Sequence, residues 1–187
     1  MRRLVVTENI TLDGVVDMAE GWFDPLDDTV DQADITAATT EHSEAADALL
    51  VGRRTFEDFR GFWPNQTDDP TGVSAYLNAV KKYVVSSTMQ DPEWENSTVL
   101  RGPLVEEVEA LKEAPGRDIV ATGSIRLVHA LIAAGLVDEY RLFVFPVVVG
   151  HGARLFESGA ARLRLLETRP FVSGAVLLRY APADGAA

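Results

Sequence analysis

The sequence predicts one α/β domain: a mostly parallel sheet with helices on both faces, closed by an antiparallel hairpin near the C-terminus. Three observations carry that expectation. Short apolar runs alternate with helix-like segments from the start of the chain to residue 145. Several of those runs stop at small turn residues, as at Gly52, Ser86 and Thr122-Gly123. Two further strand-like stretches, residues 163–169 and 175–181, flank a turn near Ser173-Gly174. With 187 residues, 47% of them hydrophobic, the chain supports a single domain with a real core. We place that domain at residues 1–181, with 182–187 a small, polar, fraying tail.

The elements follow in order. Residues 3–8 read as a strand. Residues 10–27 are acidic and carry Gly14, Gly21 and Pro25, so they read as a long loop, a kind of segment usually retained for function. Across residues 28–47, Ile35, Ala38 and Ala45 are spaced for one face of a helix. Ala48 to Val51 is a buried strand ending at Gly52, and residues 54–60 a short helix. Residues 61–72 are a loop by their turn residues, and 73–80 a second short helix. Residues 82–86 and 98–100 are strands. Pro103 suits a helix start, with Leu104, Val108 and Leu111 on one face, and Ala114-Pro115-Gly116 ends that helix. A strand over 118–122 leads to an amphipathic helix closed by Gly135, and 139–145 is a strand rich in aromatic and β-branched residues.

Composition removes several function classes. The net charge of −12 opposes a nucleic-acid partner, whose phosphates carry the same sign. There are no cysteines, which excludes disulfides, thiolate catalysis and Cys-ligated zinc and fits the cytoplasm. No apolar run suits a signal peptide or a membrane span. His42, His129 and His151 lack zinc-site spacing, so no metal is expected. We read His129 as a packed or surface residue and His151 as a turn residue.

The most informative stretch is Gly123-Ser124, between the strand at 118–122 and the helix beginning at Ile125. A small-residue turn opening a helix offers backbone N–H groups and the positive end of a helix dipole, which suits phosphate. Close helix–strand packing needs the same residues. Gly52-Arg53-Arg54-Thr55 repeats the pattern and adds two guanidinium groups and a hydroxyl, although a tight turn with solvated arginines would look alike. Ser86-Ser87-Thr88 follows a strand with three hydroxyls, suited to a ribose or phosphate or simply to an ST-turn. Asp13-Gly14 reads as a turn or as a carboxylate that orients a polar substrate. Trp22 and Phe23 read as anchors of their loop. Asn9, Gly52, Ser86 and Thr122 each follow a strand, and ligands of parallel sheets bind at strand carboxyl ends, so one crevice gathers all four. Two phosphate-type turns in a small domain point to a dinucleotide and a redox enzyme. The Gly-x-Gly-x-x-Gly fingerprint is absent, which disfavours an ordinary Rossmann fold.

Taken in order, six stretches resemble the dihydrofolate reductase superfold, and within it the stand-alone form of the reductase domain of the bacterial riboflavin pathway. They are Thr11-Leu12-Asp13-Gly14-Val15, Leu50 to Phe56, Ala121-Thr122-Gly123-Ser124, Gly135 to Glu139, Pro146 to Phe156, and Ser173 to Leu178. The resemblance covers nearly the whole chain and implies a three-layer reductase that uses NADPH. It implies phosphate contacts from Gly52, Arg53 and Thr55, and an adenosine ribose and 2′-phosphate near Ser86, Ser87 and Thr88. It implies a pyrophosphate at Gly123, Ser124 and Ile125, beside Thr122, and a nicotinamide bordered by Asn9 and the 14–22 loop. Asp13 would face the substrate. The implied reaction is reduction of 5-amino-6-(5-phosphoribosylamino)uracil, with dihydrofolate or another pterin as the alternative. A carboxylate of dihydrofolate reductases near the start of their first long helix maps to the region of Thr36, with Asp31 and Asp34 nearby. A non-catalytic nucleotide-binding dimer is the reading from another class. The resemblance also implies a homodimer, for which the apolar run Phe143 to Val149 offers a sheet edge.

Overall fold

The computed structural model describes residues 1–18, 21–24, 29–157 and 161–183. Parts of the acidic loop (19–20 and 25–28) and of the expected tail (184–187) lie outside the described residues. Eight strands form one sheet: β1 (Leu4–Thr11), β2 (Ala46–Gly52), β3 (Lys81–Val85), β4 (Ser97–Leu100), β5 (Asp118–Ala121), β6 (Glu139–Phe145), β7 (Leu163–Pro170) and β8 (Val176–Pro182). Their order is β4-β3-β2-β5-β1-β6-β8-β7. All neighbouring pairs are parallel except β6–β8 and β7–β8. The helices are α1 (Ala33–Glu44), α2 (Arg53–Phe62), α3 (Val73–Ala79), α4 (Leu104–Glu113) and α5 (Ile125–Ala133).

Residue alternation along the strands sorts the helices into two layers. Val6, Leu50, Ile119 and Leu142 point to one face, where they pack with Val108 of α4 and Leu127, Val128 and Leu131 of α5. Leu49, Val51, Val84 and Val120 point to the other, against Phe56 of α2 and Leu77 of α3. On that second face Ile35 and Ala38 of α1 meet Phe143 and Leu177. Fully burying a side chain such as Leu50 or Phe56 contributes about 1.5–3 kcal/mol. The sheet core thus holds the strand ends in place without help from the loops above them.

The observed elements depart from expectation in several places, one being the start of the segment read as a loop over 61–72, where α2 runs on to Phe62 and a 3-10 turn follows over Trp63–Asn65. β1 runs on to Thr11 because, beyond the Leu4–Val6 stretch paired with β5, its residues through Thr11 stay paired with β6, which carries its polar residues Thr7 to Asn9 in the ladder. α1 starts at Ala33 and ends at Glu44, so His42 rather than Ala45 completes its buried face. β8 includes Pro182, and the Ala183 N–H donates to the Arg162 carbonyl (2.9 Å), so the hairpin occupies the start of the expected tail. The apolar run proposed as a sheet edge is not one: β6 lies between β1 and β8, and the two edges are β4 and β7.

A buried charge network crosses the α1 face. Arg141 Nε donates to Glu139 Oε1 (2.7 Å) and its Nη2 to Asp118 Oδ2 (3.0 Å). Glu139 also accepts from Arg3 (2.8 Å) and Arg179 (2.8 Å). Glu167 joins Arg179 to Arg169, and Arg169 reaches Glu41 on α1. Burial alone would raise the Glu139 carboxyl, but its bonds from Arg179 and Arg141 hold it below the usual range. His42 lies against Phe143 in the same layer, with neither ring nitrogen bonded among the described residues. Burial, followed by the Arg141 and Arg179 charges, lowers His42 to about 4. Its folded value is below the unfolded one of about 6.5, so the stability it supports is present above pH ~6.5 and lost as pH falls towards ~4. The urea midpoint is therefore expected to drop between about pH 7 and about pH 4.5, and to drop less in His42→Leu. An equal drop in both proteins would contradict this.

Candidate active site

The carboxyl ends of β2 and β5 are adjacent, and the chain locks the two turns above them together. Gly52 N–H donates to Ser124 Oγ (2.8 Å), and Ser124 N–H donates to Thr55 Oγ1 (2.9 Å). Gly123 (φ +57°) and Ser124 (φ +47°) are both left-handed. A Cβ on Gly123 would stand 3.0 Å from Thr55 Cγ2, so only glycine fits this crossing without a shift. Ser124, a non-glycine residue in that region, marks strain held by its surroundings, which tends to occur at functional sites.

This clasp changes which groups face solvent. The N–H groups of Gly52 and Ser124, expected to point at a phosphate, are engaged within the protein. Gly123 lies level with Glu8 of the neighbouring strand, two residues beyond the Val6–Ala121 pair. Ser124 Oγ, having taken the Gly52 N–H, does not cap α5. The α5 ladder starts with the Leu127 and Val128 N–H groups on the Ser124 carbonyl, which leaves those of Ile125 and Arg126 outside it. α2 likewise opens at Gly52 with no side-chain cap. Neither α2 nor α5 has an acidic residue in its first turn, whereas α1 has Asp34 and α4 has Glu106 and Glu107. A missing cap costs about 0.5–2 kcal/mol, and a first-turn acid is normally favourable. The neighbouring starts of α2 and α5 lack both, as does that of α3, in a chain with 29 acidic residues.

The other expected site residues fall around this pair. Arg53 opens α2 half exposed, with only a loose 3.8 Å approach to Glu57. One strand over, Ser86 follows β3, whose Val85 is level with Gly52. Its hydroxyl accepts the N–H groups of Met89 (3.0 Å) and Thr88 (3.3 Å), as an ST-turn does. Ser87 and Thr88 are exposed beside it. Thr122 and Asn9 are partly buried, and Asn9 is in register with Phe143, which places it on the α1 face. Trp22 and Phe23 of the long loop pack on Phe145 at the end of β6 (ring centroids 5.7 and 5.2 Å), so they anchor the loop beside the crevice.

The Asp13 carboxylate, expected to face a substrate, is taken up by the chain. It accepts from the Thr11 hydroxyl (2.7 Å), the Gly150 N–H (2.8 Å) and the Val149 N–H (3.3 Å). The Thr11 hydroxyl first, then those two N–H groups, bring Asp13 down to about 2. Arg154 Nη1 donates to the Asp13 carbonyl (2.6 Å). Asp13 is thus an ionised staple between the loop after β1 and the loop after β6, unsuited to donate a proton at neutral pH. Asp34 is similarly engaged, accepting the Val172 N–H (2.8 Å) of the β7–β8 turn. Among the described residues no group of His, Asp and Glu could hold a metal ion. No helix there is long and apolar enough to cross a membrane.

The sequence profile of the RibD C-terminal domain matches residues 2–177. The chain belongs to the RibD C-terminal domain family. It is 34% identical over 184 residues to the uncharacterized protein YyaP of Bacillus subtilis, covering 96% of this chain and 94% of that one. Its fold matches the deaminase/5-amino-6-(5-phosphoribosylamino)uracil reductase of Thermotoga maritima at a TM-score of 0.67 and 15% identity, over 97% of this chain and 57% of that one. It also matches dihydrofolate reductase of Enterococcus faecalis, solved with NADP(H), at a TM-score of 0.66 and 18% identity, over 97% of both chains. At those identities the structures establish a dihydrofolate-reductase-like fold, as the sequence motifs implied. For a RibD C-terminal domain, the clasp between Gly52 and Ser124 lies where the sheet order places the carboxyl ends of neighbouring parallel strands.

Glu8 was not among the expected site residues. It is 3% exposed, next to the clasp, and burial raises its carboxyl group well above the ordinary value. A carboxylate in step with the apolar Leu4, Val6 and Ile10 was the available signal, but its polar neighbours Thr7 and Asn9 made it read as the end of the strand.

Proposed function

We propose that this protein is an NADPH-dependent reductase acting on a small nitrogen heterocycle, in the manner of the riboflavin-pathway reductases. The paired helix starts of α2 and α5, uncapped and free of first-turn acid, carry the reading. The residues there fit a dinucleotide. Arg53 and the first N–H groups of α2 would meet one phosphate, and the Ile125 and Arg126 N–H groups the other. Gly52, Thr55, Gly123 and Ser124 would act as the rigid frame beneath them. Ser87 and Thr88 would lie towards the adenosine end, with Ser86 shaping their turn. Asn9 and Thr122 would border the nicotinamide.

When bound, the cofactor supplies the hydride. The chain's part would be to orient it and to border the substrate with α1, Asn9 and the Trp22–Phe145 anchor. The finer reading is reduction of the ribosylamino-uracil compound named for the Thermotoga protein. Asp34 supports this over dihydrofolate: the acid nearest the start of α1 holds the β7–β8 turn, so a pterin would have to displace that bond.

NADPH oxidation followed with each substrate separates the two. Turnover of the uracil compound supports the proposal, and turnover of dihydrofolate alone replaces it. Arg53→Ala is expected to weaken NADPH by about 1–3 kcal/mol, the range of a hydrogen bond to a charged group. Unchanged affinity by calorimetry would remove Arg53 from the phosphate site.

A further inference from the structure

Glu8 has a position that the fold alone does not explain. It lies in β1 and points, like Val6 and Ile10, towards the α5 face. Its Oε1 is buried without a hydrogen-bond partner among the described residues. The parallel register of Val6 with Ala121 sets it level with Gly123, at the start of the clasped turn on the neighbouring strand. Among the described residues no cation forms an ion pair with it. On the same face of β6 the titratable side chain is Tyr140, while Glu139 and Arg141 point to the other face. On β5, Asp118 is bound to Arg3 and Arg141. On α5, Arg126 is exposed and His129 is bonded to the Arg154 carbonyl near Glu157. On α2, Arg53 and Arg54 are exposed, Arg53 towards Glu57. Burial dominates the upward shift of Glu8, the Gly123 hydrogen bond offsets part of it, and no charged neighbour contributes.

We propose that Glu8 is a positioning residue kept as the neutral acid beneath the Gly123–Ser124 turn, and that its proton is the condition for an anion to occupy the helix start above. As a neutral acid it supports the turn and adds no charge to it. Once it releases its proton to solvent, a buried negative charge stands under the seat meant for a pyrophosphate, and the low local dielectric leaves that repulsion poorly screened. Anion binding and proton retention are then linked: binding raises the hold on the proton, and a rising pH weakens binding. The inference rests on the cofactor reading above.

The sign for stability is the same. The folded value lies above the unfolded one, so the native state holds the proton over a pH range in which the unfolded chain has lost it. Stability therefore falls as pH rises through that window.

The test is NADPH affinity, measured by calorimetry from about pH 7 to about pH 9.5, for the wild type and for Glu8→Gln. Glutamine keeps the shape and the acceptor but cannot ionise. Wild-type affinity is expected to fall about tenfold or more across the range, and that of Glu8→Gln to stay nearly flat. Infrared difference spectra of the wild type give a second readout that requires no variant to fold. The carbonyl stretch of a protonated carboxyl group is expected at neutral pH and is expected to be absent in Glu8→Gln. Parallel pH profiles in the two proteins, or a wild type without that band, would overturn the role of Glu8 and leave the cofactor reading intact. A wild type that binds no NADPH at any pH would overturn both.

Discussion

Glu139→Ala is expected to lower folding stability by about 3–5 kcal/mol, the cost of breaking a buried ion pair from one side. Glu139 is 1% exposed and accepts from Arg3, Arg141 and Arg179. Arg141 is equally buried, and its Nη1 has no hydrogen-bond partner among the described residues. Without Glu139, that guanidinium keeps Asp118 as its only carboxylate partner at 3.0 Å, and Arg179 keeps Glu167. The loss is mainly the desolvation of charges left unpaired. The double variant Glu139→Leu, Arg141→Met should therefore be more stable than Glu139→Ala alone. Urea unfolding of the three proteins checks this. A single-variant loss below about 1 kcal/mol would mean that water already reaches the network.

Gly123→Val is the second large effect, and it acts on the site. A β-branched residue at φ +57° is strongly disfavoured, and its Cβ would meet Thr55 Cγ2 at 3.0 Å before its methyl groups are counted. Relieving that overlap moves Thr55 or the turn, which separates the Ser124 N–H from Thr55 Oγ1 and the Gly52 N–H from Ser124 Oγ. We expect a stability loss of about 1–3 kcal/mol from the strained backbone. We also expect NADPH affinity to fall about tenfold or more, because the two helix starts lose their fixed spacing. Loss of stability with full affinity would show that the clasp serves packing alone.

The layers and most strands were legible because their signals are local. Ala48 to Val51 is a short apolar run, Leu104, Val108 and Leu111 keep helical spacing, and Ser173-Gly174 marks a turn. Where pairing decided the outcome, local pattern failed. Thr7-Glu8-Asn9 looks like the end of a strand, yet β6 holds it within the sheet. Glu139 and Arg141 alternate as they would on a solvated face, and Arg3, Asp118 and Arg179, distant in sequence, make their burial tolerable.

The site divides in the same way. Gly52, Thr55, Gly123 and Ser124 were placed together by the strand-to-helix pattern. Their mutual bonds could not be read from it, so the Gly52 and Ser124 N–H groups first assigned to a ligand turned out to be engaged, while that of Ile125, assigned with them, lies outside the helix ladder. Asp13 shows the converse case, since its partners Val149 and Gly150 are remote in sequence.

The most direct measurement is a titration of the wild-type protein with NADPH at neutral pH, followed by calorimetry. Saturable one-site binding with a dissociation constant below about 1 mM, weakened in Arg53→Ala and in Gly123→Val, is the predicted result. No saturable binding up to that concentration would contradict both the assignment of the paired helix starts and the reductase reading built on them.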